Sequence, residues 1–199
     1  INPALNAGAL YYGEGHYVAV DDAEDANAFN NASYEQALVG GFSGGGWNLS
    51  LTGSTTRELP ALYAWQDNDP QVVITPIDDE NKGKFFLGYR VTDNGDGTWH
   101  YEYALHNLNS HRSGREFVVP VGQNVTVTNV EFHDVPYHSG EPYSNAPWSS
   151  SVSSGTGSVS WSTDTFATDQ DANALRWSTL YNFRFDASTP PTDVIATIG

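Results

Sequence analysis

The chain reads as an all-β protein, an antiparallel β-sandwich or jelly roll with little helix and extended terminal arms. Three observations predict this. Hydrophobic residues recur with period two along much of the chain, turn-forming clusters separate these runs at short intervals, and helical periodicity is nearly absent. No segment repeats at a fixed period, which argues against a solenoid or propeller.

The elements follow in chain order. Residues 1–12, "INPALNAGALYY", are apolar and read as an extended arm or edge strand, assigned with its flank to residues 1–20. Residues 21–39 are rich in Asp, Ala and Asn, and Ser33 with Gln36 has capping-box spacing, so one short helix is expected there. "GGFSGGG" (40–46) reads as a flexible loop, and "GGWNLSLTG" (45–53) and "QVVITPI" (71–77) as strands. Phe85, Leu87, Tyr89 and Val91 alternate with Phe86, Gly88, Arg90 and Thr92. The turn "DNGDG" (93–97) follows, and then Trp99, Tyr101, Tyr103 and Leu105 alternate with His100, Glu102, Ala104 and His106. This is a β-hairpin with one apolar face. "REFVVPV" (115–121), "VTVTNVEFHDV" (125–135) and "GSVSWST" (157–163) are further strands. "NALRWSTLYNFRFDA" (173–187) sets Leu175, Trp177, Thr179, Tyr181, Phe183 and Phe185 on one face, opposite Arg176, Ser178, Asn182 and Arg184. Pro190 and Pro191 then end the sandwich domain, expected over 21–188, and open a C-terminal linker and apolar strand, 189–199.

Composition narrows the function classes. The 199 residues include nine Phe, eleven Tyr and six Trp, enough for a substantial core despite a formal net charge of −16. Eight Lys and Arg against 24 Asp and Glu make nucleic acid and anionic membranes poor partners. No run approaches the roughly 18 apolar residues of a membrane span. The absence of cysteine excludes disulfides and thiolate chemistry. A chain that starts at Ile1 and contains no methionine reads as a processed product, most simply after signal-peptide removal. Asn31, Asn48 and Asn124 match the N-glycosylation pattern and are candidate acceptors.

Candidate chemistry is sparse. His100 and Glu102, with His106, share one side of a strand, and His133 and His138 could approach from another. Such ligands would suit Zn²⁺, Mn²⁺ or Fe²⁺. Asp93 and Asp96 read first as a turn and second as a calcium loop, because no glutamate stands at the twelfth position from Asp93. The acidic runs 21–25, 67–70 and 78–81 also offer oxygen ligands for Ca²⁺, and Asp78, Asp79 and Glu80 read mainly as a solvated loop. The chain has no Gly-x-Ser-x-Gly, no His-Glu-x-x-His and no phosphate-binding glycine loop with a lysine. Trp47, Trp65, Trp148 and Trp161 are core residues or, alternatively, a sugar-stacking platform. Arg176 and Arg184 would pair with acidic loops or hold a ligand carboxylate.

"WHYEYALHNLNSHRS" (99–113) and "NALRWSTLYNFRFDA" (173–187), with "NNASY" (30–34), "FHDVPYHSGEP" (132–142) and "VSWST" (159–163), give the chain a resemblance. Over about residues 20–190 it resembles an uncharacterised family of secreted bacterial β-rich proteins. The resemblance implies a bacterial, exported β-domain and carries no catalytic residue with it. It also implies an aspartate where His111 stands and a glycine where Ser178 stands.

The expectation is a secreted or cell-surface structural protein rather than an enzyme. It would self-assemble, as a filament subunit, by exchanging a terminal strand with a second copy. Ile1, Leu5, Leu10, Val194, Ile195 and Ile198 are the assembly residues. An extracellular glycan-binding module is the alternative, and a cupin-like metal-dependent enzyme the third reading. No cofactor is required, and Ca²⁺ is a candidate ion. The expected partners are copies of the chain itself or glycans.

Overall fold

The computed structural model describes residues 1–20, 27–80, 83–138 and 140–199. The chain is nearly all β, and every strand pairing is antiparallel. It divides into two compact units, Ile1–Pro70 and Gln71–Gly199. This boundary falls inside the single domain expected over 21–188.

The first unit holds a three-stranded sheet, β1 (Tyr11–His16), β2 (Ala32–Ser43) and β3 (Gly46–Arg57), and a helix, α1 (Tyr63–Asn68). Three expectations are corrected here. Ser33 and Gln36 cap no helix; they lie within β2, opposite Gly15 and Tyr12 of β1. Tyr34 is 4% exposed and pairs with Glu14 on one side and Thr56 on the other, so cross-strand burial overrides the local capping pattern. The "GGFSGGG" segment is not a loop throughout: residues 40–43 continue β2, and only Gly44 and Gly45 turn. Their φ values of 61° and 85° suit the two-residue mirror-type turn that matches strand twist. Of the segment 21–39, where a short helix is expected, residues 21–26 lie outside the described residues. Residues 1–10 are not extended either. Leu5, Asn6 and Ala9 donate back to Asn2, Pro3 and Asn6 in successive turns, and pairing begins only at Tyr11.

The second unit is the sandwich. One sheet has five strands in the order β4 (Val73–Asp79), β5 (Gly83–Asp93), β6 (Trp99–Asn107), β11 (Thr179–Ala187), β8 (Val127–His133). The other orders β12 (Thr197–Ile198), β7 (Glu116–Pro120), β10 (Ser158–Ser162), β9 (Ser149–Ser153). The expected hairpin is in register from Phe85↔Asn107 to Asp93↔Trp99. Its apolar row faces inward: Tyr101, Tyr103 and Leu105 are buried and Trp99 packs against them. From the facing sheet come Phe117, Val119, Val159 and Trp161, all fully buried. Phe183 sits at the centre, with ring centroids 4.8 Å from Phe117, 5.3 Å from Trp161 and 5.5 Å from Trp148. Truncating such a buried ring costs about 3–5 kcal/mol.

From β6 onward the chain crosses between the sheets at every connection except the β9–β10 hairpin. Asn107 lies opposite Thr179, and Asn182 opposite His133. The crossovers 108–115, 134–148 and 163–178 therefore emerge at the same end of the sandwich. That coincidence of topology builds the candidate site.

Candidate functional site

At this end two buried asparagines organise the loops. Asn107 donates through Nδ2 to the carbonyls of Ser110 (3.0 Å) and Leu175 (2.9 Å), and its Oδ1 accepts from Ser110 N (2.7 Å). This pins the tight turn that carries His111. Gly83 is required beneath it, because a Cβ there would lie 2.5 Å from Ser110 Cα. Asn173, also fully buried, donates through Nδ2 to the Asp134 carboxylate and to Ala146 O (2.9 Å). Two acceptors on one side fix the amide's orientation. Its Oδ1 therefore accepts from Tyr181 Oη (2.6 Å) and from His138 Nε2 (3.1 Å), placing the donated proton on Nε2 of that ring. Trp148 Nε1 donates to the Asn173 carbonyl. Burial, with the Asp134 charge nearby, pushes the Tyr181 phenol above its ordinary range, so it stays a neutral donor.

Around these hubs lies a cleft of about 520 Å³, lined by His111, Tyr137, Glu141, Tyr143, Arg176 and Trp177 among others. The Arg176 guanidinium carbon stands 3.4 Å from the Tyr143 ring centroid, a cation–π contact, while one terminal nitrogen donates to Gln170 O and Ala172 O. The rings of His111 and Trp177 are 4.6 Å apart. Tyr137 is 66% exposed. His111, Ser113 and Arg176 also line an adjoining 740 Å³ depression bearing Asp78, Asp79, Arg112 and Asp169. Two non-glycine residues beside the cleft have left-handed backbones, Ser113 at φ 58° and Ser178 at φ 54°. Each such conformation costs about 1–2 kcal/mol and is held only where its surroundings enforce it.

Several expected sites fall elsewhere. Leu175 and Trp177 are not on the core face of a continuous strand, because Ser178 breaks it and β11 starts at Thr179. Leu175 is still fully buried, bridged to Gly114, whereas Trp177 lines the cleft. Trp148 and Trp161 are core residues, 3% and 0% exposed, and cannot stack on a sugar. Trp47 packs edge-on against Phe42, and Trp65 lies on α1.

His100 and Glu102 do meet, at 3.3 Å, on the outer face of the five-stranded sheet. His106 does not join them. It lies six residues along the strand, roughly 20 Å away, buried and stacked on Phe86. Instead His100 Nδ1 lies 2.7 Å from Asp186, and Arg184 Nε lies 3.1 Å from Glu102 and its Nη1 3.8 Å from Glu131. This is a ladder of alternating charge across four strands, since Arg90, Glu102, Arg184 and Glu131 are successive register partners. Burial raises the Glu102 carboxyl, partly offset by Arg184 and His100. Burial acts upward on Asp186 too, but hydrogen bonds from Asn129 and His100 outweigh it and hold that carboxyl low.

Asp93 and Asp96 sit in the hairpin turn. Asp93 Oδ1 accepts from Gly95 N (2.7 Å), and Asp96 Oδ1 from Thr98 N (3.0 Å) and Thr98 Oγ1 (2.6 Å). Among the described residues no group of three or more His, Asp or Glu is placed to hold a metal. His133 is exposed on β8, opposite Asn182, while His138 belongs to the Asn173 hub. Asn48 and Asn124 are exposed and Asn31 half-buried.

The expected assembly residues divide. Ile1, Leu5, Leu10, Val194 and Ile195 are exposed, the last at 83%. Ile198 instead packs on the core, as β12 pairs with β7 of the same chain through Thr197↔Val118 and Ile198↔Phe117. No helix among the described residues is long and apolar enough to cross a membrane. Comparison with protein-family models, with curated proteins and with solved structures finds no match.

Proposed function

We propose that this protein is a binding module for a neutral, hydroxyl-rich ligand, an extracellular glycan, held in the cleft at the end of the sandwich. The supporting observation is the pre-formed pairing of Arg176 with Tyr143 beside Trp177 and His111. Flat rings cover the apolar faces of a sugar, while Arg176, Glu141 and His111 offer charged and polar groups to its hydroxyls. The rings and the hydrogen-bonding groups come from crossovers fastened by Asn107 and Asn173, so little ordering cost falls on binding. The formal charge of −16 disfavours polyanionic ligands.

The test is a glycan array followed by tryptophan-fluorescence titration. Trp148 and Trp161 are buried, so a cleft ligand acts first on Trp177. Trp177→Ala and Arg176→Ala are each expected to weaken binding at least ten-fold with the fold retained by circular dichroism. An array with no signal across neutral glycans overturns the proposal.

The C-terminal arm favours a second reading, a filament subunit. β12 is short, with Thr197 and Ile198 paired to β7 and Gly199 bonded to Arg115 and Glu116, so exchange of that strand between copies would remake a small set of backbone hydrogen bonds.

A further inference from the structure

We propose that two copies of this chain associate through the outer edge of β3, antiparallel and centred on Ser50. This contact is separate from the cleft and from the terminal arm.

The edges of the sandwich are blunted in the ways that keep sheets from pairing with other chains. The outer strand β4 carries Pro76, Asp78 and Asp79, β8 carries Glu131 and the left-handed Asn129, and β9 and β12 are short. The edge strand β3 has none of these protections over residues 46–52. It has twelve residues, no lysine and no proline, and no strand pairs with its outer side among the described residues. The extra residues of β3's own register shift lie beyond Thr52; a second shift, opposite Trp47–Leu49, puts its extra residue on β2, between Val39 and Phe42.

Its surroundings are equally unusual. Residues 36–56 carry no charged side chain in a chain of net charge −16. Beyond Ala37, β2 has lost β1 as a neighbour, so the tip is a two-stranded ribbon. Such a ribbon is marginal in water without a covering surface. Leu38, Phe42, Leu49 and Leu51 on it are 55–61% exposed.

The occupant follows from charge and symmetry. Two copies of so acidic a chain meet with least like-charge opposition where both surfaces are uncharged. An antiparallel pair centred on Ser50 sets Leu49 opposite the second copy's Leu51, and Leu51 opposite its Leu49. All four leucines then share one face, as a two-fold interface requires.

The chain has no cysteine, so single cysteines report the register directly. Ser50→Cys places two thiols opposite each other at a separation a disulfide can span. Ser54→Cys, also exposed, places them about 26 Å apart. Under mild oxidation of the full chain, Ser50→Cys is expected to give covalent dimer at least ten-fold faster than Ser54→Cys. Sedimentation of the unmodified chain should show a dimer that tightens with added salt, as screening relieves the repulsion. Leu49→Lys with Leu51→Lys should be monomeric with an unchanged circular dichroism spectrum. Equal cross-linking at both positions, a monomer at every concentration, or a dimer that survives the two lysines overturns the proposal. So does a dimer lost on removing residues 189–199 alone.

Discussion

Ser178 shows how one residue shapes the candidate site. Its φ of 54° stops β11 from continuing backward, turns Trp177 out of the core row and leaves Leu175 to bridge Gly114. A serine held there bears strain that a glycine would not. Ser178→Gly is therefore expected to raise stability, by up to about 1 kcal/mol in denaturant titration, with Trp177 still lining the cleft. Loss of stability would show that the hydroxyl, rather than the backbone, decides the position. Asn107 and Asn173 are the opposite case. They carry no strain and fasten chain segments 68 and 27 residues away, Leu175 and Ala146.

At the scale of elements, a hydrogen bond joins α1 to β2, Tyr34 Oη donating to Asp67 at 2.5 Å. Burial and this bond push the Tyr34 phenol up to about 12. A group that keeps its proton more tightly when folded stabilises the fold fully below its unfolded value, here 10.0. That contribution fades as pH rises from 10.0 through about 12. Stability of the wild-type chain is expected to fall between pH 9 and pH 11.5 in denaturant titrations. Tyr34→Phe should start lower and fall less steeply, and equal slopes would remove the assignment. Neither α1 nor the β2 pairing was legible in sequence. "YAWQDN" is too short to show a helical period, and the Ser33/Gln36 spacing imitates a cap.

At the scale of the whole molecule, the C-terminal arm closes the sandwich it belongs to. Ala196 and Ile198 pack on the core, and the strap 189–196 borders a cavity of about 430 Å³ between the sheets. Tyr101 Oη donates to Thr189 O at 2.9 Å and ties the strap down. Removing residues 189–199 is expected to cost about 2–4 kcal/mol, read from the denaturant midpoint, because buried apolar side chains and a β7 pairing go with it. An exchanged arm would instead show as lost assembly with monomer stability unchanged, measured by light scattering beside the same titration.

The sequence by itself determined the strands of the sandwich other than β9, whose Ser/Gly-rich segment 149–157 reads as a loop, and the inward rows of the hairpin. Period-two alternation is a local property, and Tyr101, Tyr103, Leu105, Phe183 and Phe185 announce a buried face wherever the strand is placed. Only the tertiary structure decided what stands beside what. It separated His106 from His100, moved Trp148 and Trp161 into the core, and gathered His111, Arg176 and Trp177 from two crossovers into one cleft. The physical reason is that a strand's spacing records which face a residue takes, whereas a neighbour across the sandwich is set by connections tens of residues long. Such connections leave no period in the chain.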